Sequence, residues 1–207
     1  MIAVCTGAAR DAAWAGRMKR TAIDKRPVEG RVKVGELGLV GDEQADLANH
    51  GGVEKAVYVY AREDLDHWAA QIGRDLRNGA FGENLTTRGL DVTNALIGER
   101  WRIGSLLAEL TGPRIPCGVF RSWVDERGWV KRFAAEARTG VYLRVLETGD
   151  VGAGDPVERV HCPDDAPTVA ESVRAYYGDA DQLRRLLALP GHGPKWDERA
   201  AAVLKDA

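Results

Sequence analysis

The run Trp101-Arg102-Ile103-Gly104-Ser105-Leu106-Leu107-Ala108-Glu109-Leu110, with Pro113-Arg114-Ile115-Pro116-Cys117 close behind it, decides how the chain is read. The first part is strand material, broken at Gly104 by a residue suited to a bulge or a barrel corner. The second part is stiff. Each proline holds its own φ at about −65° and pushes the residue before it towards extended geometry. The segment is therefore not expected to join the preceding strand or to open a helix early. A thiol on such a support has a defined direction. The permanent cation of Arg114, if close, would favour the thiolate, the form that binds metals and attacks electrophiles. A buried structural cysteine is the competing reading, and it is the commoner fate of a free thiol.

Working outward, Ile2–Thr6, Arg31–Val34, Ala56–Tyr60, Gly140–Leu146 and Pro156–Val160 carry the alternating or β-branched patterns of strands. Gly79–Thr87 reads as a glycine-flanked strand edge, and Leu96–Glu99 as further strand material. Helical spacing is confined to Arg62–Ile72, where Leu65, Trp68, Ala69 and Ile72 share a face, and to two short pieces after Cys117. A helix starting at Cys117 would aim its positive end at the thiol and lower its pKa. Strands separated by loops predict an α+β chain: a β-rich barrel with peripheral helices over residues 1–162. Composition changes at His161–Pro167, and residues 163–207 read as a small domain of three helices. Thr168-Val169-Ala170-Glu171 is a capping box, and Asp181–Leu189 and Lys195–Lys205 follow. Helices of about a dozen residues are not stable singly and are expected to pack together.

Composition narrows the function. A chain of 207 residues with 44% hydrophobic and 29% charged residues is ordinary for a globular protein. A net charge of −2 gives no electrostatic case for nucleic acid or an acidic membrane. No apolar run approaches the roughly 20 residues of a membrane span, and the first residues lack a signal peptide's pattern. Three scattered cysteines make neither a disulfide framework nor a zinc pattern, which predicts free thiols in a reducing cytoplasm. Neither a dinucleotide fingerprint, a Walker loop nor a nucleophile elbow is present.

Polar candidates gather elsewhere. Lys19, Arg20, Lys25 and Arg26 form a cationic cluster, which is either a solvated loop or an anion site. Gly35–Lys55 has no regular period yet carries Asp42, Asp46, His50, Gly51, Gly52 and Lys55, which suggests a functional loop. The amides around Gly51-Gly52 could form an anion-binding nest. Asn84 offers both a donor and an acceptor, and Glu83 a carboxylate. His67 and His192 are expected to pack or face solvent.

Five blocks now carry a resemblance: Gly38-Leu39-Val40-Gly41-Asp42-Glu43-Gln44-Ala45-Asp46, His50-Gly51-Gly52, Lys55-Ala56-Val57-Tyr58-Val59-Tyr60, Phe81-Gly82-Glu83-Asn84-Leu85 and Pro113-Arg114-Ile115-Pro116-Cys117. In this order they resemble the MOSC domain, named for the C-terminal part of molybdenum cofactor sulfurases. The helical tail resembles the three-α-helix domain of the YiiM-type bacterial branch. The resemblance implies a β-barrel carrying the molybdenum cofactor (Mo-molybdopterin), with Cys117 as metal ligand. It also implies reduction of N-hydroxylated bases and analogues such as 6-hydroxylaminopurine, with electrons from a separate donor protein. The expected cofactor contacts are Lys25, Arg26, Asp42, Gly51, Gly52, Lys55, Asn84 and Arg114, with Cys117 and His50 as catalytic groups; His50, the Gly51-Gly52 amides and Lys55 could contact the pterin or deliver a proton. The alternatives are a sulfur carrier holding a persulfide on Cys117 and a non-catalytic cofactor carrier. The tail could dock a redox partner or form a homodimer, although spending its apolar faces on its own core is favoured.

Overall fold

The computed structural model describes residues 1–204, with Ala48 and Asn49 described by their backbone alone. Its largest element is an eight-stranded sheet. From one edge the order is Val157–His161, Arg100–Ile103, Leu106–Pro113, Val141–Glu147, Val57–Ala61, Leu85–Thr87, Ala3–Thr6 and Arg26–Pro27. Neighbours are antiparallel except Val57–Ala61 and Leu85–Thr87, which run parallel and are connected through the helix Arg62–Ile72. A parallel pair needs such a crossover, because a tight turn cannot return the chain in the same direction. A second sheet has the order Gly149–Gly152, Arg31–Gly35, Gly38–Leu39. Among the described residues no pairing joins the Val157–His161 edge to the Arg26–Pro27 edge, so the expected closed barrel is not found.

Two further expectations are corrected. Trp101–Leu110 is not one bulged strand but a hairpin, with Ile103 opposite Leu106 and Gly104 at φ +58° in the turn between them. Only a residue that tolerates positive φ can start so short a return. Pro113 does join the preceding strand, as its last residue, opposite Val141. The missing N–H costs little at a strand end, where the next donor is not needed.

The strand Val57–Ala61 is buried along its whole length. Val57, Val59 and Ala61 point into a core with Trp101, Ile103, Leu110, Val141 and Leu143, capped by Val34, Leu39 and Val151 of the smaller sheet. Tyr58 and Tyr60 point the other way, into a cluster with Trp68, Phe81, Phe120, Trp129 and Phe133. The helices Arg62–Ile72, Gly118–Val124 and Trp129–Glu136 contribute most of these rings. The rings meet mainly edge to face, for example Phe81 with Phe120 at 5.1 Å, the arrangement that their quadrupoles favour. The sheet is thus covered on both faces.

Gly140 shows how tightly the aromatic side is built. Its φ is +65°, and a Cβ there would come within 2.5 Å of both Val59 O and the Tyr60 ring. Gly140→Ala is expected to cost more than about 2 kcal/mol, the left-handed penalty plus an overpacking cost. Urea unfolding checks this, and an unchanged midpoint would show that the loop relaxes freely.

Beyond residue 162 the structure has the helices Val169–Tyr176, Ala180–Leu187 and Pro194–Val203. The capping box forms in full, with Glu171 N donating to Thr168 Oγ1 and Thr168 N donating to the Glu171 carboxylate. Lys205, the expected end of the last helix, lies outside the described residues. Ala175, Leu183, Leu186 and Trp196 form a small core among the three helices. They are also tied to the main sheet region: Val169 belongs to the large core, and Leu96 bridges Thr168. The indole N–H of Trp196 donates to Thr111 O at 3.4 Å. The expected strand at Leu96–Glu99 is reduced to that single bridge. No helix among the described residues is long and apolar enough to cross a membrane.

Candidate active site

The sheet's last paired residue, Pro113, delivers the chain to Arg114. That side chain is 5% exposed, and its guanidinium lies 4.2 Å from the Phe120 ring centroid and 5.1 Å from that of Tyr58. One Nη donates to Phe81 O, while Nε is buried with no hydrogen-bond partner among the protein atoms. A buried guanidinium flanked by ring faces keeps its charge through cation–π attraction and the remaining bonds it makes. Cys117 follows as the N-cap of the helix Gly118–Val124, its Sγ accepting from Phe120 N at 3.5 Å. The thiol is half-buried on the wall of a cleft.

Lys25, Asp42, His50, Lys55, Asn84 and Arg114 face the same cleft as Cys117. Three of them organise it rather than face a ligand freely. Lys25 Nζ is paired with both carboxylate oxygens of Asp42, and both side chains are almost fully buried. Asp42 also accepts from Gly7 N at 2.9 Å and from Asn84 Nδ2 at 2.9 Å. Asn84 Oδ1 accepts from Tyr58 N at 3.1 Å, and its Nδ2 also reaches Cys5 O at 3.3 Å. Asn84 therefore ties the strand Val57–Ala61 to the strand Ala3–Thr6 just where its own strand begins. Burial pushes the Lys25 pKa down, and Asp42 opposes that shift.

The remaining expectations divide. Arg26 does not face the cleft: its side chain is exposed and pairs with Asp24. The cationic cluster is split by the strand pairing, with Arg20 and Lys25 turned to the cleft and Lys19 and Arg26 away from it. Gly51 and Gly52 lie on the wall of a neighbouring cavity instead. Gly51 is closely packed there: a Cβ would lie 3.0 Å from the Leu47 Cα of the backbone. Glu83 is wholly buried and structural, accepting from Phe81 N at 3.0 Å and Thr86 Oγ1 at 3.1 Å. His67 pairs with Glu136 and His192 with Asp197, both away from the cleft. Cys5 is an inert thiol, pushed up to about 12 by burial and by the Glu83 carboxylate.

Sequence reading missed three contributors. Tyr58 and Tyr142 line the cleft side by side, with ring centroids 5.0 Å apart, and Lys55 Nζ lies 5.6 Å over the Tyr142 ring. Both tyrosines sit in strand patterns that give no sign of which face is functional. Lys195, from the last helix, acts on the site across the whole length of the chain. Burial and the nearby Lys195 ammonium bring the Lys55 pKa down to about 8. Burial, with Arg114 and Lys55 next, lowers His50 to about 4.

His50 and Lys55 are both candidates for delivering a proton, and these shifts separate them. At neutral pH His50 is neutral, whereas Lys55 keeps its proton more readily. Lys55 is therefore the better acid, and His50 a neutral hydrogen-bonding group.

Residues 46–158 match the MOSC domain. The chain is 33% identical over 183 residues to the protein YiiM of Escherichia coli, covering 86% of this chain and 82% of that one. The crystal structure of YiiM from Geobacillus stearothermophilus superposes with a TM-score of 0.81 at 26% identity, over 98% of this chain and 97% of that one. A reductase of Gibberella moniliformis is 34% identical over 161 residues, but these make up only 28% of that longer protein. The chain belongs to the MOSC domain family, in its YiiM-type branch.

Proposed function

We propose that this protein is a cytoplasmic, molybdenum-cofactor-dependent reductase of N-hydroxylated bases and analogues, with electrons delivered by a separate protein. The observation that supports this most is a single thiol, Cys117, held on a rigid Pro-Arg-Ile-Pro segment beside a buried Arg114 whose Nε lacks a partner. Among the described residues no three His, Cys, Asp or Glu side chains converge to hold a metal ion. One soft sulfur donor suits a metal that arrives with most of its ligands already in place. The cations on the walls, Arg20, Lys25, Lys55 and Arg114, suit an anionic cofactor. Lys25 is neutralised by Asp42 and Arg20 is paired with Asp11, so Arg114 and Lys55 would supply most of the attraction for its phosphate and pterin. The fungal relative's name, a reductase, agrees with this reading.

When bound, the cofactor supplies the two-electron chemistry. The chain's share is to hold sulfur, charge and protons. Cys117 Sγ is the metal ligand, and Arg114 keeps negative charge beside it favourable. Conversion of R–NHOH to R–NH₂ and water consumes two electrons and two protons. Lys55 Nζ holds a proton for the departing hydroxyl, and neutral His50 orients the group by hydrogen bonding.

Assay of the cofactor-loaded protein with 6-hydroxylaminopurine and a reduced viologen is expected to yield adenine, and absence of product would sink this reading. The acid role of Lys55 makes a pH prediction. The groups acting on Lys55 are Lys195 and Arg114, which lower its pKa, and Asp46, which raises it. An acid must be protonated, so kcat is expected to fall as pH rises through about 8. Lys195→Met removes a neighbouring positive charge, which raises the Lys55 pKa and moves that fall to higher pH by about one unit. A limb that stays in place would take the proton away from Lys55.

A further inference from the structure

Arg144, in the strand Val141–Glu147, ties together parts of the chain that are far apart in sequence. One Nη pairs with Glu109 of the adjacent strand. The other donates to Gly191 O at 2.8 Å, in the turn before the last helix, and lies 3.4 Å from Glu54 Oε1. Glu54 immediately precedes Lys55. Its second oxygen, Oε2, like Arg144 Nε, is buried with no hydrogen-bond partner among the protein atoms. That oxygen faces the start of the helix Pro194–Val203, where a Cβ on the N-cap Gly193 would lie 3.2 Å from it. This helix end has no side-chain cap, and Pro194 has no N–H to offer, so the Glu54 carboxylate meets the positive end of the helix through charge alone. The segment is fixed once more at Trp196, whose indole N–H donates to Thr111 O at 3.4 Å, while Thr111 Oγ1 donates to Glu54 O at 2.6 Å. Lys195 lies between Gly193 and Trp196, two fixed points, and within hydrogen-bonding reach of Lys55.

We propose that Arg144 and Glu54 are positioning residues: they clamp the start of the last helix to the residue beside Lys55, so that the C-terminal helices bring Lys195 against Lys55. The catalytic consequence rests on the reductase reading above, in which Lys55 holds the proton, and the clamp itself does not. Two ammonium groups side by side repel, and each weakens the other's hold on its proton. Such a pair stays together only where the backbone beneath it is held by other interactions. Here those interactions are the Arg144 bond to Gly191 O, the seat of Gly193 on Glu54 and the anchoring of Trp196. The other groups facing Lys55 are Asp46, Arg114, His50 and the Tyr142 ring, none of which belongs to the last helices. Arg144 and Glu54 are not among the charges that act most on Lys55, so their influence passes through the placement of Lys195. The helical tail is then part of the site, and the acid strength of Lys55 depends on how firmly that tail is docked.

The test follows Lys55 by NMR in the full chain carrying ¹³C-labelled lysine, with its signal assigned by Lys55→Arg. It needs neither cofactor nor turnover. The wild-type group is expected to titrate at about 8. Arg144→Met releases Gly191 and Glu54, and should raise that pKa by at least about half a unit as Lys195 moves away. Gly193→Leu wedges a side chain between the helix and Glu54 without changing any charge, and should raise it as well. Circular dichroism confirms that each variant is folded. In a Lys195→Met background neither change should move Lys55 further, because the group through which they act is gone. An unmoved Lys55 in both folded variants overturns the proposal. So does a shift of equal size with and without Lys195, since Arg144 would then act on Lys55 directly. In the loaded enzyme the alkaline fall of kcat should move with the pKa read by NMR. A pKa that moves in the expected way in a protein without turnover would support the clamp and remove the reductase reading.

Discussion

Cys117→Ser is expected to lower reduction of 6-hydroxylaminopurine by at least about a thousandfold, equivalent to about 4 kcal/mol at the barrier. The fold should survive, because Cys117 is the N-cap of the helix Gly118–Val124 and serine is among the residues that cap best. The change therefore separates chemistry from stability. A hydroxyl is a hard donor and remains protonated at neutral pH, so it replaces neither the charge nor the softness of a thiolate. Steady-state kinetics and urea unfolding on the same preparation check both halves. A serine variant with wild-type turnover would show that Cys117 is not the ligand.

The second large effect is on stability. Asp42→Ala is expected to destabilise the protein by about 3 to 5 kcal/mol, because it leaves the Lys25 ammonium buried without its counter-charge. It also strands the Gly7 amide and one bond of Asn84. Lys25→Met alone should cost a comparable amount by leaving the carboxylate unpaired. The double variant Lys25→Met/Asp42→Ala removes both charges, and its loss should be well below the sum of the two single losses. Chemical denaturation of all four proteins gives the cycle. Simple additivity would mean that the pair is not coupled and that Asp42 stabilises the cleft only through its neutral hydrogen bonds.

Much of the strand pattern is legible in the sequence because β-branched and aromatic residues alternate plainly. The helix Arg62–Ile72 is legible to its limits because its apolar positions repeat at helical spacing. What pattern does not supply is closure. An open and a closed sheet share the same alternation, and the difference lies in whether Val157–His161 meets Arg26–Pro27, which no local signal encodes. The turn at Gly104 is ambiguous for a related reason, since a bulge and a hairpin both call for glycine.

The site is partly legible for reasons that are equally physical. Cys117 and Arg114 announce themselves through the prolines around them. Asn84 and Asp42 look like ligand-binding groups because their side chains are polar, but strands far away in sequence satisfy those groups. Tyr58 and Tyr142 are hidden in ordinary strand patterns. Lys195 is hidden by distance, and its effect on Lys55 exists only once the last helix is in place.

The central claim is that the Cys117 cleft holds a molybdenum cofactor. The most direct test is metal analysis together with pterin fluorescence on the full chain isolated from cells that make the cofactor. Near-stoichiometric molybdenum and pterin in the wild type, with molybdenum lost from Cys117→Ser, is the predicted result. Wild-type protein without molybdenum or pterin, but with a sulfur adduct on Cys117 by mass spectrometry, would contradict it and favour a persulfide carrier.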